Sequence, residues 1–280
     1  MPEPAYQRIA EELRRQITSG ERPPGSQLPT EYELRMAYGA SRDTIRNAIK
    51  QLTVRGLVQA HPRLGTFVLE PIKPFVTVLS PDSDVRSGTG EGAAYYGEVR
   101  AQGRRPDSSK PPRIEVMEPT PIIAGLLQIP VGTQVVTRHQ RRYIDGKPYS
   151  LETSFYPMSL VERGARELLA PVDKEEGCIE YLRVRLGIEQ AGYRDLIAVR
   201  AADQDESYFF ELSGDSPVAV FAKYRTSYDD QNAPIRVTLD AYPSDRNQFG
   251  FIVGTVPPQA AEAAAAGTAS VVWDALPAVS

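Results

Sequence analysis

Cysteine and histidine are almost absent from this 280-residue chain: Cys178 stands alone, and His61 and His139 are the two histidines. A single cysteine forbids an internal disulfide and a cysteine-built zinc site. Two histidines far apart in sequence work against metal chemistry and against a Ser-His-Asp arrangement. No catalytic residue, metal ligand or cofactor is nominated, and the chain is not expected to be an enzyme. Long apolar runs are lacking too: none reaches the roughly 18 residues that span a bilayer. The opening MPEPAYQRIAEEL shows no basic-then-apolar signal pattern. These absences predict a soluble, cytoplasmic protein without membrane contact.

What is present is an uneven distribution of charge. The formal net charge is −4, yet residues 1–70 hold ten Lys/Arg against eight Asp/Glu, leaving −6 for the remainder. Between residues 35 and 65 six bases (Arg35, Arg42, Arg46, Lys50, Arg55, Arg63) meet one acid, Asp43. A basic segment on an acidic chain points to a local polyanion contact. Hydrophobic residues make up 41%, enough for a packed core, and the length predicts two domains.

The first seventy residues divide clearly. Tyr6, Ile9, Ala10, Leu13 and Ile17 recur on one face of a helix ending near Gly20. Pro23, Pro24 and Gly25 break the chain. A second helix is expected from about Glu31 to Tyr38, with Thr30 as N-cap, Glu33 completing a capping box and Gly39 ending it. Ser41 caps a third helix that runs to about Arg55 and stops at Gly56. In that helix Ile45, Ala48, Ile49 and Leu52 form an apolar arc, while Asp43, Arg46, Asn47 and Lys50 lie opposite and Arg42 sits at the edge. LVQA and TFVL around HPRLG read as a hairpin.

Helix, helix, turn, helix, hairpin is the winged helix-turn-helix order. Its third helix is expected to enter a DNA major groove, with its N-terminal residues at base edges. A hairpin tip bearing Arg63 and Gly65 is placed to touch the neighbouring backbone or minor groove, where a bare glycine permits close approach. Residues 71–94, rich in Pro, Gly and Ser, read as a linker. In the region 95–253, DGKPYSLETSFYP (145–157) and DQNAPIRVTLDAYP (230–243) each place Tyr-Pro eight residues after a proline. The Pro148 to Pro234 separation is 86, and each copy follows an alternating β-rich run. Two strand-turn-strand halves predict an antiparallel sheet with pseudo-symmetry. LVERGARELLA and CIEYLRVRLGI read as helices. Residues 254–280 form a low-complexity tail whose Trp273 has no assigned role.

The segment LPTEYELRMAYGASRDTIRNAIKQLTVRGLVQAHPRLGTFV (28–68) resembles the DNA-binding domain of the GntR family of bacterial transcription regulators. Residues from about Tyr95 to Phe251 resemble the UTRA effector-binding domain of its HutC-type subfamily, through AQGRRP (101–106), YIDGKPYSLETSFYP (143–157), GCIEYL (177–182) and SDRNQF (244–249). The resemblance implies an α+β chain: an N-terminal winged helix-turn-helix domain at 1–70 and a C-terminal antiparallel-sheet, chorismate-lyase-like UTRA domain at 95–253. Ser41, Arg42, Thr44 and Arg46 match the family's recognition-helix pattern, implying phosphate and guanine contacts. With Thr30, Glu31, Tyr32, Lys50, Arg63, Gly65 and Thr66 they form the candidate DNA-binding set. Tyr32 stands where an arginine is usual, and Arg63-Leu64 replaces a Gly-Arg in the wing.

The effector candidates carried over by the resemblance are Arg138, Gln140, Arg142, Glu152, Cys178 and Arg236. Gln140 replaces a common arginine, Cys178 a common serine and Arg236 a common glutamate. Those replacements argue against a sugar-phosphate effector, while Arg138, Arg141 and Arg236 suit another anion. Arg142 and Glu152 read equally as a cross-strand ion pair. Cys178 reads as a small buried residue, His61 as a phosphate contact or a surface residue, and His139 as structural. The function implied is a homodimeric repressor that leaves an inverted-repeat DNA operator when a small-molecule effector binds. The alternative is a DNA-binding repressor whose C-terminal domain only dimerises or binds a partner. An enzymatic reading of the lyase-like domain lacks any constellation of reacting groups.

Overall fold

The computed structural model describes residues 4–61, 63–69, 74–79, 92–107, 111–174, 176–212, 218–257 and 259. The chain divides into two compact units at Lys73/Pro74. In the first, α1 (Ala5–Thr18), α2 (Glu31–Tyr38) and α3 (Arg42–Val54) precede the hairpin of β1 (Val58–His61) and β2 (Gly65–Val68). The buried side of α1 is Ile9, Ala10, Leu13 and Ile17, the face expected from helical spacing. The capping box at Thr30 and Glu33 is formed, and Gly39 ends α2 in the left-handed conformation at φ 58°. Ile45, Ala48 and Leu52 of α3 join Leu13, Leu34, Val58 and Val68 in one core. Each of the larger side chains among them contributes about 1.5–3 kcal/mol through burial. The hairpin register runs from Val58 opposite Val68 to His61 opposite Gly65.

In the second unit the main sheet is antiparallel, built from β4 (Pro106–Asp107), β5 (Arg113–Met117), β6 (Val135–Ile144), β7 (Lys147–Pro157), β8 (Gln190–Ala201), β9 (Ala219–Asp229) and β10 (Pro234–Pro243). Its order is β4-β6-β7-β10-β9-β8, with β5 also on β6. The two similar segments form the central pair, where Thr153 lies opposite Leu239. That pair is separated by 239 − 153 = 86 residues, the same offset as Pro148 to Pro234, so a pseudo-twofold axis passes between β7 and β10.

α4 (Gly92–Ala101), α6 (Met158–Glu162), a 3₁₀ turn (Arg166–Leu169) and α7 (Cys178–Leu186) are accompanied by α5 (Pro121–Leu126) and α8 (Gln204–Phe209). Ile123 and Leu127 pack with Val135 and Val237 on one sheet face. Val136 and Tyr156, on the other, pack with Leu168, Ile179 and Leu182.

Two expectations need correction. The segment 71–94 is not a linker throughout. Phe75–Leu79 forms β3, which pairs in parallel with β11 (Asn247–Phe251), and α4 begins at Gly92. The β-branched run FVTVL carries that signal among its Pro, Gly and Ser neighbours. LVERGARELLA is not one helix, because Gly164 at φ 119° ends α6 before the 3₁₀ turn begins. Residues 80–91, Pro62 at the hairpin tip and the tail from 260 to 280, with Trp273, lie outside the described residues.

Candidate nucleic-acid interface and ligand-binding face

Ser41 accepts a hydrogen bond from the Thr44 backbone N–H at 3.2 Å, which starts α3 immediately before its two leading arginines. Arg42 and Arg46 lie one turn apart and remain mostly exposed, at 67% and 62%. Both reach back to Glu31 at the start of α2, Arg42 Nε at 3.2 Å and Arg46 Nε at 3.5 Å. Glu31 is thus a partner that orients the arginines across the two helices; a carboxylate does not itself attract phosphate. Lys50 is exposed one turn further on. Thr30 spends its hydroxyl in the capping box, donating to Glu33 Oε2 at 2.8 Å, while Tyr32 is 67% exposed.

At the wing, Arg63 adopts φ 66° and Gly65 φ 111°. A Cβ on Gly65 would lie 2.3 Å from Gln27 Nε2, the amide that donates to the Leu64 carbonyl at 2.8 Å. The left-handed backbone of the turn therefore requires the glycine, whereas the flexible Gln27 amide would swing aside from a Cβ at little cost. Arg63 and Leu64 are exposed, and Thr66 is half-buried. His61 is exposed and meets Phe67 edge-on at 5.5 Å.

In the second unit one face of the sheet carries buried charge. Alternation and register bring Gln140 and Arg142 of β6 beside Glu152 and Ser154 of β7, then Arg236, Thr238 and Asp240 of β10, then Lys223 and Arg225 of β9. Arg142 Nη1 donates to Asp173 Oδ2 at 3.0 Å and Nη2 to Gln140 Oε1 at 2.9 Å. Glu152 Oε2 is further off, at 3.9 Å. The guanidinium lies 5.0 Å from the Tyr95 ring centre. Burial pushes the Glu152 carboxyl up to about 7; Arg142 opposes the rise and Asp240 adds to it. Lys223 pairs with Asp240 at 3.0 Å, and Arg225 with Asp195 at 2.6 Å. Burial depresses Arg236 to about 10, against the pull of Asp240.

The six effector candidates do not act as a single group. Arg138 commits its guanidinium to three main-chain carbonyls, those of Leu168, Ala170 and Val172, at 2.7–2.9 Å. It holds a loop. Arg141 projects from the opposite sheet face, 5.4 Å from the Phe209 ring centre, and is withdrawn from the anion set. Cys178 is buried in the core at the start of α7, and burial pushes its thiol up. His139 is half-buried, its Nδ1 2.8 Å from Thr153 Oγ1. Gln140, Arg142, Glu152 and Arg236 remain on the polar face.

Residues 5–68 match the gntR family of bacterial regulatory proteins, and residues 101–248 match the UTRA domain. The second match alone covers more than half of the chain. The chain belongs to the GntR family. It is of the HutC type, a helix-turn-helix domain followed by a UTRA domain. The mannosyl-D-glycerate transport/metabolism system repressor of Escherichia coli is 29% identical over 158 residues, 56% of this chain and 60% of that protein. A histidine utilization repressor of Pseudomonas putida is 41% identical over 70 residues, 25% of this chain and 28% of that protein. The chain thus spans less than two thirds of either relative. The PhnF structure from Mycobacterium smegmatis, at 23% identity and TM-score 0.52, covers 89% of this chain and 100% of its own, which supports the fold.

Sequence reasoning missed several groups of this GntR-family site. Asp173, on a loop after the 3₁₀ turn, accepts from Gln140, Arg142 and Tyr96. Nothing in local spacing signals it. Lys223, Arg225 and Asp240 were legible: charges at every second position of a strand share a face, and three strands repeat that pattern. Glu98 of α4 has a carboxyl pushed up to about 7 by burial, with Lys223 and Arg225 opposing.

Proposed function

We propose that this chain is a homodimeric transcriptional repressor that holds an inverted-repeat operator through two copies of α3 and the wing. A small molecule on the polar sheet face of the UTRA domain releases it. The observation that carries the DNA half is the exposed pair Arg42 and Arg46 on the first turns of a helix whose opposite side is core. Exposed guanidiniums held by a screened carboxylate exchange it readily for phosphate oxygens or a guanine edge. Lys50, Arg63, Thr66 and Tyr32 add backbone contacts in this reading, and Ser41, Thr44 and Thr30 set the helix starts. Effector and operator favour different conformations, so each weakens the other's binding by the same factor.

The test is an electrophoretic shift on the DNA upstream of the protein's own coding region. Affinity should fall steeply with salt, because each neutralised phosphate releases counterions, and should exceed that for random duplex by at least about a thousandfold. Binding that ignores salt, or equal binding to random duplex, overturns the reading. A second reading, in which the C-terminal unit dimerises or binds a partner without effector, is favoured by one observation: Arg138 and Arg142 already find acceptors inside the fold. A thermal-shift screen of metabolites separates the two, since a ligand at 100 times its Kd adds about 2.7 kcal/mol.

A further inference from the structure

On the polar face, one carboxylate comes from outside the sheet. Asp173 sits on the loop between the 3₁₀ turn and α7, while the groups that bind it stand on regular elements. Tyr96 of α4 donates its hydroxyl to Asp173 Oδ2 at 2.5 Å, Arg142 of β6 donates from Nη1 at 3.0 Å, and Gln140 of β6 donates its amide to Oδ1. Gln140 and Arg142 are locked to each other as well, through Oε1 and Nη2. Three donors on rigid elements converging on one carboxylate make an anion cradle whose geometry does not depend on the loop.

We propose that Asp173 is a built-in occupant of the effector site, and that the natural effector carries a carboxylate which replaces it on Tyr96, Gln140 and Arg142. The proposal rests on the effector reading of the UTRA domain and names the chemical class that the domain accepts. The charge of the cradle selects the class. One guanidinium and two neutral donors match a single negative charge spread over two oxygens. A doubly charged phosphate would need a second cation there. The other cations of this face are committed or stand apart: Arg138 binds main-chain carbonyls, Lys174 pairs with Glu167, Lys223 with Asp240 and Arg225 with Asp195, while Arg236 stands further along β10, at the level of Tyr156.

The loop is built so that the side chain alone can leave. Arg138 clamps the carbonyls of Leu168, Ala170 and Val172, and Lys174 bridges to Glu167 at 2.6 Å while lying 4.2 Å from the Tyr181 ring centre. With the main chain pinned on both sides, an entering carboxylate expels the Asp173 side chain by rotating it. The displaced charge must then find water or a new partner, and that change is the signal available to the rest of the dimer.

The experiment is anion rescue of the full-length chain, without DNA. Asp173→Ala leaves the cradle unfilled, and formate should refill it. At 50 mM, sodium formate should raise the melting temperature of Asp173→Ala by about 3 °C more than that of the wild type. Sodium chloride at the same ionic strength should not. Asp173→Asn, which retains the side chain's shape, carries the same prediction at smaller amplitude and serves where the alanine variant fails to fold. An equal rise in the wild type, an equal rise with chloride or inorganic phosphate, or a rise that survives in Asp173→Ala/Arg142→Gln overturns the proposal. Because the readout is taken without DNA, its failure leaves the operator-binding reading standing. Failure of the gel shift likewise leaves the rescue standing.

Discussion

The two units treat the same residue type in opposite ways. Arg42 and Arg46 on α3 keep 67% and 62% of their side-chain surface in water, whereas Arg142 and Arg225 on the sheet keep 3% and 2%. On α3, water and salt screen the pairs with Glu31, which are worth up to about 1 kcal/mol. Phosphate can therefore displace the carboxylate at little cost. On the sheet, withdrawal from water costs several kcal/mol per ion, so Arg142, Lys223 and Arg225 are held by carboxylates inside the fold. A ligand gains entry there only by offering groups as well placed as those it removes. The exposed pairs can be exchanged at low cost, the buried ones only against groups equally well placed.

The sharpest way to break this contrast is to orphan a buried charge. Asp240→Ala leaves Lys223 without its 3.0 Å partner and should cost about 3–5 kcal/mol in chemical denaturation. The double change Lys223→Met/Asp240→Leu should recover most of that loss, because well-packed apolar groups avoid the desolvation altogether. A single-variant cost below about 1 kcal/mol would mean that water reaches this face and that the two units do not differ in kind.

On the exposed side the balance reverses. Arg46→Ala should change folding stability by less than about 0.5 kcal/mol and weaken operator binding by about 1–3 kcal/mol, with relaxed preference at one base position. Gel shifts on a set of singly substituted operators read the second quantity. A uniform loss across all sequences would assign Arg46 to phosphate instead of a base.

The pH dependence offers a third contrast. Burial raises the Glu152 and Glu98 carboxyls to about 7 from 4.5. Folded chains therefore keep protons there that unfolded chains release. The associated stability is complete below about pH 4.5 and is lost as pH rises through 7. In the first unit the signs are opposite. The Arg14 hydrogen bond lowers Glu11, and the Thr30 backbone N–H lowers Glu33. Their contribution is present above the usual carboxylate range and is lost as pH falls through it. From pH 5.5 to 8 the second unit should thus lose on the order of 2 kcal/mol for each of the two carboxyls, partly offset by His139, whose pKa burial depresses, while the first stays level. Glu152→Gln should flatten that slope, as read by melts across the series.

How much of this was legible follows the range of the interactions. The first unit is made of contacts close in sequence, so periodicity and caps sufficed: the box at Thr30 and Glu33, the stop at Gly39 and the face of Ile45, Ala48 and Leu52 all stand as expected. Gly65 was legible as a glycine, and its φ of 111° adds a conformational reason that residue order alone does not carry. The sheet was foreshadowed by the 86-residue duplication, and its pseudo-axis falls at Thr153 and Leu239. The polar face was only half visible. The resemblance marks Gln140, Arg142 and Glu152, but Asp173 reaches them from a loop with no periodic pattern. Arg138 looked like an anion ligand because sequence cannot show three carbonyls meeting its guanidinium.

The smallest effect probes Glu31, the carboxylate that Arg42 and Arg46 share. Neutralising it in Glu31→Gln should leave folding stability within about 0.5 kcal/mol, since both pairs are screened. Binding to random duplex should tighten, because a negative charge beside the phosphates is gone. Operator binding should gain less than random binding, because Arg42 and Arg46 lose the carboxylate that fixes their common orientation across α2 and α3. The ratio of operator to random affinity, taken at one salt concentration, should therefore fall. A ratio that stays constant while both affinities rise would reduce Glu31 to a source of charge and leave the arginines oriented by α3 alone.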